Sequence, residues 1–244
     1  MSAFEVVRRL LVGYPVPDEF VDPAYPELLQ RLGGLELTLV VAATSLLLGL
    51  PLGALLAVGR QGPALVRWPA VLFVEVVRGL PVMLLVLLFV HLSYPLLGVR
   101  VPVALLGTAA FTLHAASYAS EIFRSGFRAV GGGVVDAARV LGLSRRQTLV
   151  HVELSIAVRT MLPAFLGLLI TVFKDTSVLI VVGAAELTCT ARQITVSQPV
   201  NMLPVLFLLL LMYGGSAALA SLLVARLERR WPGADPRNDT KGLP

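Results

Sequence analysis

The sequence predicts an all-α integral membrane protein with five transmembrane helices and one folded loop on its basic side. Three observations carry that expectation. Hydrophobic residues make up 57% of the chain and charged ones 14%, where soluble domains carry roughly 25% charged residues. Five stretches are long and apolar enough to cross a bilayer, which takes about 20 helical residues. The arginines gather on alternate connections between those stretches, as the positive-inside bias requires. At 244 residues the chain is one membrane domain.

The net charge of +5 and pI near 9.9 would suggest a nucleic-acid partner in a soluble protein. Here the arginines sit between and after apolar spans, so topology and lipid account for them, and no nucleic acid is expected. The one cysteine, Cys189, excludes a disulfide framework and a Cys/His metal cluster, and says nothing of the redox compartment.

Residues 1–33 read as an outside leader. Glu5 to Leu11 form one short interfacial helix, and Pro15, Pro17, Pro23 and Pro26 oppose regular structure after it. The acidic residues and prolines of this segment do not suit a cleaved signal. The membrane domain covers 34–228, with spans at about 35–59, 79–99, 102–121, 160–183 and 200–225. Residues 64–78 are too short and too charged for a sixth span. They read as an interfacial helix leading into the second, with Trp68 at headgroup level. The tail, 229–244, is rich in Pro, Gly, Asp and Asn and predicts disorder.

Arginines 60, 67 and 78, then 124, 128, 139, 145, 146 and 159, then 226, 229, 230 and 237 with Lys241, fall on one side. Arginines 8, 9, 31, 100 and 192 fall on the other. The richer side is cytoplasmic by the positive-inside rule, which puts the N-terminus outside and the C-terminus inside.

The basic side holds the 129–159 loop. Val134 to Leu141 have helix formers and no breaker, and Gly142 stands where a C-terminal cap belongs. Ser144-Arg145-Arg146-Gln147 is a capping-box pattern, so a second helix starts at Arg145. Ala137 and Ala138 are small enough for close approach of a partner. From spacing alone, an amphipathic helix pair on the membrane surface fits equally well. Pro163 starts or bends the fourth span. That span alone carries charge within it, Lys174-Asp175-Thr176-Ser177. A charged group at mid-membrane costs roughly 2.5–3.5 kcal/mol on insertion scales, so such groups pair or face a polar cavity. Two readings stand: a neutralising contact, of Lys174 and Asp175 with neighbours such as Glu121 or with each other, or a site for a zwitterion. In the second, Lys174 takes a carboxylate, Asp175 an ammonium, and Thr176 or Ser177 adds hydrogen bonds. Glu75, Arg78, Glu121 and Arg124, near the inside ends of spans, suit gates or helix-end ion pairs. His91 and His114 suit packed or pore-lining positions, and one histidine per span makes no metal site. Gly131-Gly132-Gly133 lacks the preceding strand and the following Gly-Lys-Ser/Thr of a phosphate loop, so no ATP site is expected in this chain.

Asp136-Ala137-Ala138 with Gly142 and Leu162-Pro163 resembles the signature loop of ATP-binding-cassette importer permeases, with Asp136, Val134 and Ser155 as departures. Glu75-Val76-Val77-Arg78-Gly79-Leu80-Pro81, Ser117 to Gly126, Lys174-Asp175-Thr176-Ser177-Val178 and Glu186-Leu187-Thr188 are similar, in order, to motifs of one branch of that family. The chain resembles, over about 33–228, the permease subunits of polar amino-acid uptake systems of the histidine, glutamine and glutamate type. That resemblance implies a type I importer permease fold in the bacterial cytoplasmic membrane. It implies two ATPase subunits docked around Asp136, Ala137, Ala138, Arg139 and Gly142, with ATP held on those partners. It also implies a second permease subunit, identical or homologous, and an extracytoplasmic binding protein. An ion-gradient-driven secondary carrier is the alternative, though such carriers often show repeated halves and none is visible here.

Overall fold

The computed structural model describes residues 3–13, 32–197 and 202–230, and among them the fold is helical with no strand. The tail beyond Arg230 and most of the leader lie outside the described residues. The helices are α1 (Ala3–Val12), α2 (Gly34–Gly59), α3 (Ala64–Gly79), α4 (Val82–Leu97), α5 (Val103–Arg128), α6 (Gly132–Val140), α7 (Arg145–Gln147), α8 (Leu154–Asp175), α9 (Leu187–Ser197) and α10 (Met202–Arg230).

Helices occupy all five stretches predicted to span. Three runs are long and apolar enough by themselves: Gly34–Gly59, Arg145–Val182 and Met202–Arg226. The pair α3 and α4 adds a fourth if taken together, bent by 106°. The bend follows from Leu80-Pro81. A residue before proline is pushed out of the helical region, and Leu80 is extended, at φ −85° and ψ 136°. α5 has 26 residues, but its threonines, serines and His114 lower its apolarity, so the five-span count rests on position rather than on hydropathy alone.

Two expectations change at the fourth span. The helix from Arg145 is not separate: α7 runs through a π-helical segment, Thr148–Glu153, straight into α8. Pro163 does not start the span but lies within α8, as prolines in membrane helices are tolerated where neighbours re-satisfy the backbone. The run then narrows to a 3-10 helix, Thr176–Val182, stopped by Gly183 at φ 78°.

α5 is the hub, and its most extensive contact is with α2. The seam is a stripe of small residues. Gly49 and Gly53, four apart on α2, face Ala115, Ala116 and Ala119 of α5. A Cβ on Gly53 would lie 2.6 Å from the Ala119 Cβ and 2.8 Å from the Ala116 carbonyl oxygen. Ser45, one turn earlier, donates to the Thr108 carbonyl at 3.2 Å. In lipid, helix association relies on such close packing rather than on hydrophobic exclusion. Around the seam, Ala42, Leu168, Val172 and Phe173 bury the α2/α5/α8 contact.

A second core gathers α1, α9 and α10 through Val6, Leu10, Leu187, Ala191, Ile194 and Val205. α1 thus docks on the bundle through one face, while Arg9 and Arg8 pair with Glu5 and hold its carboxyl below the ordinary value.

Candidate functional site

The loop after α5 forms the predicted helix and turn. α6 ends in a Schellman motif: the Leu143 N–H donates to the Ala138 carbonyl at 3.1 Å, and the Gly142 N–H to that of Arg139 at 2.9 Å. Gly142 takes φ 84°, the left-handed geometry such a cap needs. Ser144 and Gln147 form a complete capping box. Ala138 is buried against the loop's own chain, whereas Asp136, Ala137 and Arg139 face outward. Asp136 and Arg139 pair at 3.8 Å in solvent, a contact worth little. Val140 and Leu141 are 87% and 79% exposed at the tip of α6. Their place in a run of helix formers gives no sign of that exposure in the sequence.

Behind the loop, five charged groups converge from three helix ends. Arg60, at the end of α2 and only 9% exposed, donates to Glu121 at 3.0 Å and to Glu75 at 3.3 Å. Arg78 approaches Glu121 at 3.7 Å, and Arg124 donates to Glu121 through Nε at 3.0 Å and also through a second nitrogen. The four residues proposed from sequence therefore do meet, with Arg60, Arg78 and Arg124 gathered on Glu121 and Glu75 joined through Arg60, a residue that the sequence marks only as part of the topology.

Lys174-Asp175-Thr176-Ser177 lies at the junction of α8 and the 3-10 helix rather than in the middle of an α-helix. Its four residues do not converge. Lys174 is exposed, Asp175 and Ser177 are half-buried, and Thr176 is buried, its hydroxyl donating to the Phe173 carbonyl at 2.7 Å. Asp175 faces neither Lys174 nor Glu121 but His114 of α5, with Oδ2 3.8 Å from Nε2. His114 is eleven residues past Val103 and fourteen before Arg128, about 17 and 21 Å from the helix ends at 1.5 Å per residue. Asp175 thus sits level with the middle of α5.

From His114 a polar row follows α5 toward the charged cluster. The His114 ring lies 4.8 Å from that of Tyr118, and the Arg78 guanidinium lies over Tyr118 at 5.4 Å, within cation–π range. Residues 114, 118, 121 and 124 share one helix face by their spacing.

Glu186 anchors the opposite end. Fully buried, its carboxylate accepts from the Thr188 and Cys189 N–H groups at 2.8 Å each and from the Tyr213 hydroxyl at 3.1 Å. It caps α9, and Thr38 of α2 accepts from the next N–H, that of Leu187, at 3.2 Å. Among the described residues no cluster of His, Cys, Asp and Glu could hold a metal ion.

A bundle of long apolar helices with a part-buried polar row and an exposed, capped loop defines a polytopic membrane protein. The comparisons narrow the class. The chain belongs to the family of binding-protein-dependent transport system inner membrane components, whose model matches residues 49–232. It is 34% identical over 202 residues to a probable glutamine ABC transporter permease protein of Bacillus subtilis, covering 81% of this chain and 91% of that one. It is 34% identical over 214 residues to a glutamate/aspartate import permease protein of Escherichia coli, covering 84% and 95%. A solved amino acid ABC transporter with histidines matches with a TM-score of 0.69 at 26% identity, over 79% of this chain and 92% of that one. A methionine ABC transporter in an inward-facing conformation, at 22% identity and a TM-score of 0.58, shares the fold. The family is a transport component whose ATP hydrolysis resides on separate subunits, which favours an ABC importer permease over a secondary carrier.

Proposed function

We propose that this chain is the membrane subunit of an ATP-driven importer of polar or charged amino acids, working in the bacterial cytoplasmic membrane with its N-terminus outside. Two such subunits, identical or homologous, enclose the pathway. Two ATPases dock on the α6 loops, and an extracytoplasmic protein delivers the substrate. The reading is carried by one juxtaposition. His114, level with the middle of α5, faces Asp175 at the end of α8, and α5 ends beside the exposed α6 loop while α8 continues the π-helical segment that packs on it. The two sides of a substrate site are thereby each joined to the docking element, one by α5 and one by α8. The names of the relatives supply the substrate class, and the arginine asymmetry supplies the orientation.

Within the docking loop, Ala137 lets a partner approach closely, Asp136 and Arg139 offer charge, and Val140 and Leu141 offer apolar contact. Ala138 and Gly142 act from within by holding α6 against the π-helical segment. In the charged cluster, Glu75, Arg78, Glu121 and Arg124 join Arg60 in tying three helix ends together, so that separating them opens the inside end of the pathway. ATP binding closes the ATPases, draws the loops together and switches access by rigid motion.

The test is reconstitution of the permease with its ATPase and binding protein, followed by uptake of labelled acidic, amide and basic amino acids. ATP-dependent uptake is expected. Ala137→Arg or Leu141→Glu, both at exposed positions, should abolish co-purification of the ATPase and uptake together. Uptake that persists without the ATPase would replace this reading with the secondary carrier.

A further inference from the structure

We infer that His114 and Asp175, not Lys174 and Asp175, form the clamp for the α-ammonium and α-carboxylate of the transported amino acid; this rests on the importer reading above. His114 has a side chain only 8% exposed, and its Nδ1 is buried with no hydrogen-bond partner. An orphaned buried N–H is rarer and costlier than an orphaned acceptor. The ring proton therefore belongs on Nε2, the nitrogen that faces Asp175. The 3.8 Å gap between Nε2 and Oδ2 is too long for a direct hydrogen bond. The structure thus presents a donor and a carboxylate side by side, each lacking its full complement, with Asp175 keeping 27% of its side chain open.

A free α-amino acid is the complement of that pair. Its ammonium nitrogen and nearer carboxylate oxygen are held about 2.7 Å apart by the three bonds that run through Cα and the carboxylate carbon. Each can sit at a normal hydrogen-bond distance of about 2.8 Å from its counterpart, the ammonium on Asp175 and the carboxylate on His114. Lys174 cannot share this role from the same side. It is exposed and about 100° round the helix from Asp175. Tyr118 lies against His114 with its ring centroid at 4.8 Å and tilted by 43°, which restrains the imidazole. His114 and Tyr118 thus orient the head group, leaving the substrate's side chain to the remainder of the pathway.

The experiment is calorimetric titration of the assembled importer in lipid nanodiscs with the amino acid it transports and with the amine lacking the α-carboxylate. Wild type should prefer the amino acid. His114→Phe keeps a ring against Tyr118 but lacks the donor, and should weaken amino-acid binding about tenfold, the worth of a hydrogen bond to a charged group. The decarboxylated amine should bind that variant as it binds wild type. His114→Gln, which restores an N–H donor, should recover part of the preference, and Asp175→Asn should weaken both ligands. Equal weakening of both ligands by His114→Phe, or no weakening, overturns the inference, as does loss of the preference in Lys174→Met alone. If wild type binds no amino acid at all, the importer reading fails first and takes this one with it.

Discussion

Replacing Gly53 with alanine adds one methyl group at the closest point between α2 and α5. That methyl would meet the Ala119 Cβ at 2.6 Å, the Ala116 carbonyl oxygen at 2.8 Å and the Ser120 nitrogen at 3.0 Å. Carbon atoms rest at about 3.5–4.0 Å, so the shortfall is about 1 Å, and two of the three neighbours are backbone that cannot rotate aside. Overpacking of this kind costs about 1–3 kcal/mol, against about 1 kcal/mol gained from alanine's helix propensity. The propensity part can be removed by comparison with Gly167→Ala, because Gly167 lies inside α8 and a Cβ there meets nothing within 4 Å. Relative to that control, Gly53→Ala should lose about 1–3 kcal/mol in reversible unfolding from mixed micelles. The double variant Gly53→Ala, Ala119→Gly removes the shortest contact and should recover part of the loss. Equal stability of Gly53→Ala and Gly167→Ala, or no recovery in the double variant, would refute the seam as the determinant of this packing. Transport should fall with stability, because Arg60 and Glu121, a few residues further along each helix, meet at 3.0 Å in the register the seam sets.

Three further outcomes follow from buried polar groups and from one strained position. Glu186→Ala strips a buried acceptor from two backbone N–H groups and the Tyr213 hydroxyl, and should cost about 3 kcal/mol or more in unfolding; Glu186→Gln, which keeps an acceptor oxygen, should cost less. Arg60→Met leaves Glu121 facing only Arg78 and Arg124. It should cost about 2 kcal/mol, below the 3–5 of a fully buried pair because Glu75 is solvated, while Arg139→Met at the exposed Asp136 pair should stay within about 0.5 kcal/mol. Gly142→Ala forces a side chain into φ 84° at a cost of about 1–2 kcal/mol, seen as faster hydrogen exchange over α6 with exchange in α2 and α5 unchanged.

Elements marked by local chemistry were legible in the sequence. The Ser144 to Gln147 box and the glycine at 142 act within a few residues, so the helix end and the helix start fall where their letters put them. Leu80-Pro81 carried the same kind of local signal for the break between α3 and α4, but the second span was drawn from 79, across it. The continuous run from Arg145 was open to reading, because nothing between Gln147 and Leu154 breaks a helix, but the polar residues His151, Glu153 and Arg159 drew the start of the apolar span to 160, and Pro163, which membrane helices tolerate, passed for a helix start or bend. The Gly49-xxx-Gly53 spacing was available as a signal of close helix approach and passed unread. The partner of Asp175 was not available at all. It depends on how far α8 slides along α5, which is fixed by packing between helices distant in sequence.

That sliding is what gives the charged motif its meaning. Lys174 and Asp175 stand at the end of α8, and hydropathy alone places them within the fourth span without saying what they face. Contact with His114 sets Asp175 level with the middle of α5, and α8 reaches there from the π-helical segment that supports α6. The extra length at one end of the Arg145–Val182 run thus brings the acidic group at its other end into register with the imidazole. On the importer reading the same geometry joins docking to access. A displacement of α6 acts on both rods at once, on α5 through the Ala129 to Gly131 connection and on α8 through the π-helical segment, and His114 and Asp175 ride on different rods. Unequal movement of the two must change the 3.8 Å gap at which an amino-acid head group would be held. Tight binding in one conformation and release in another then need no further moving part.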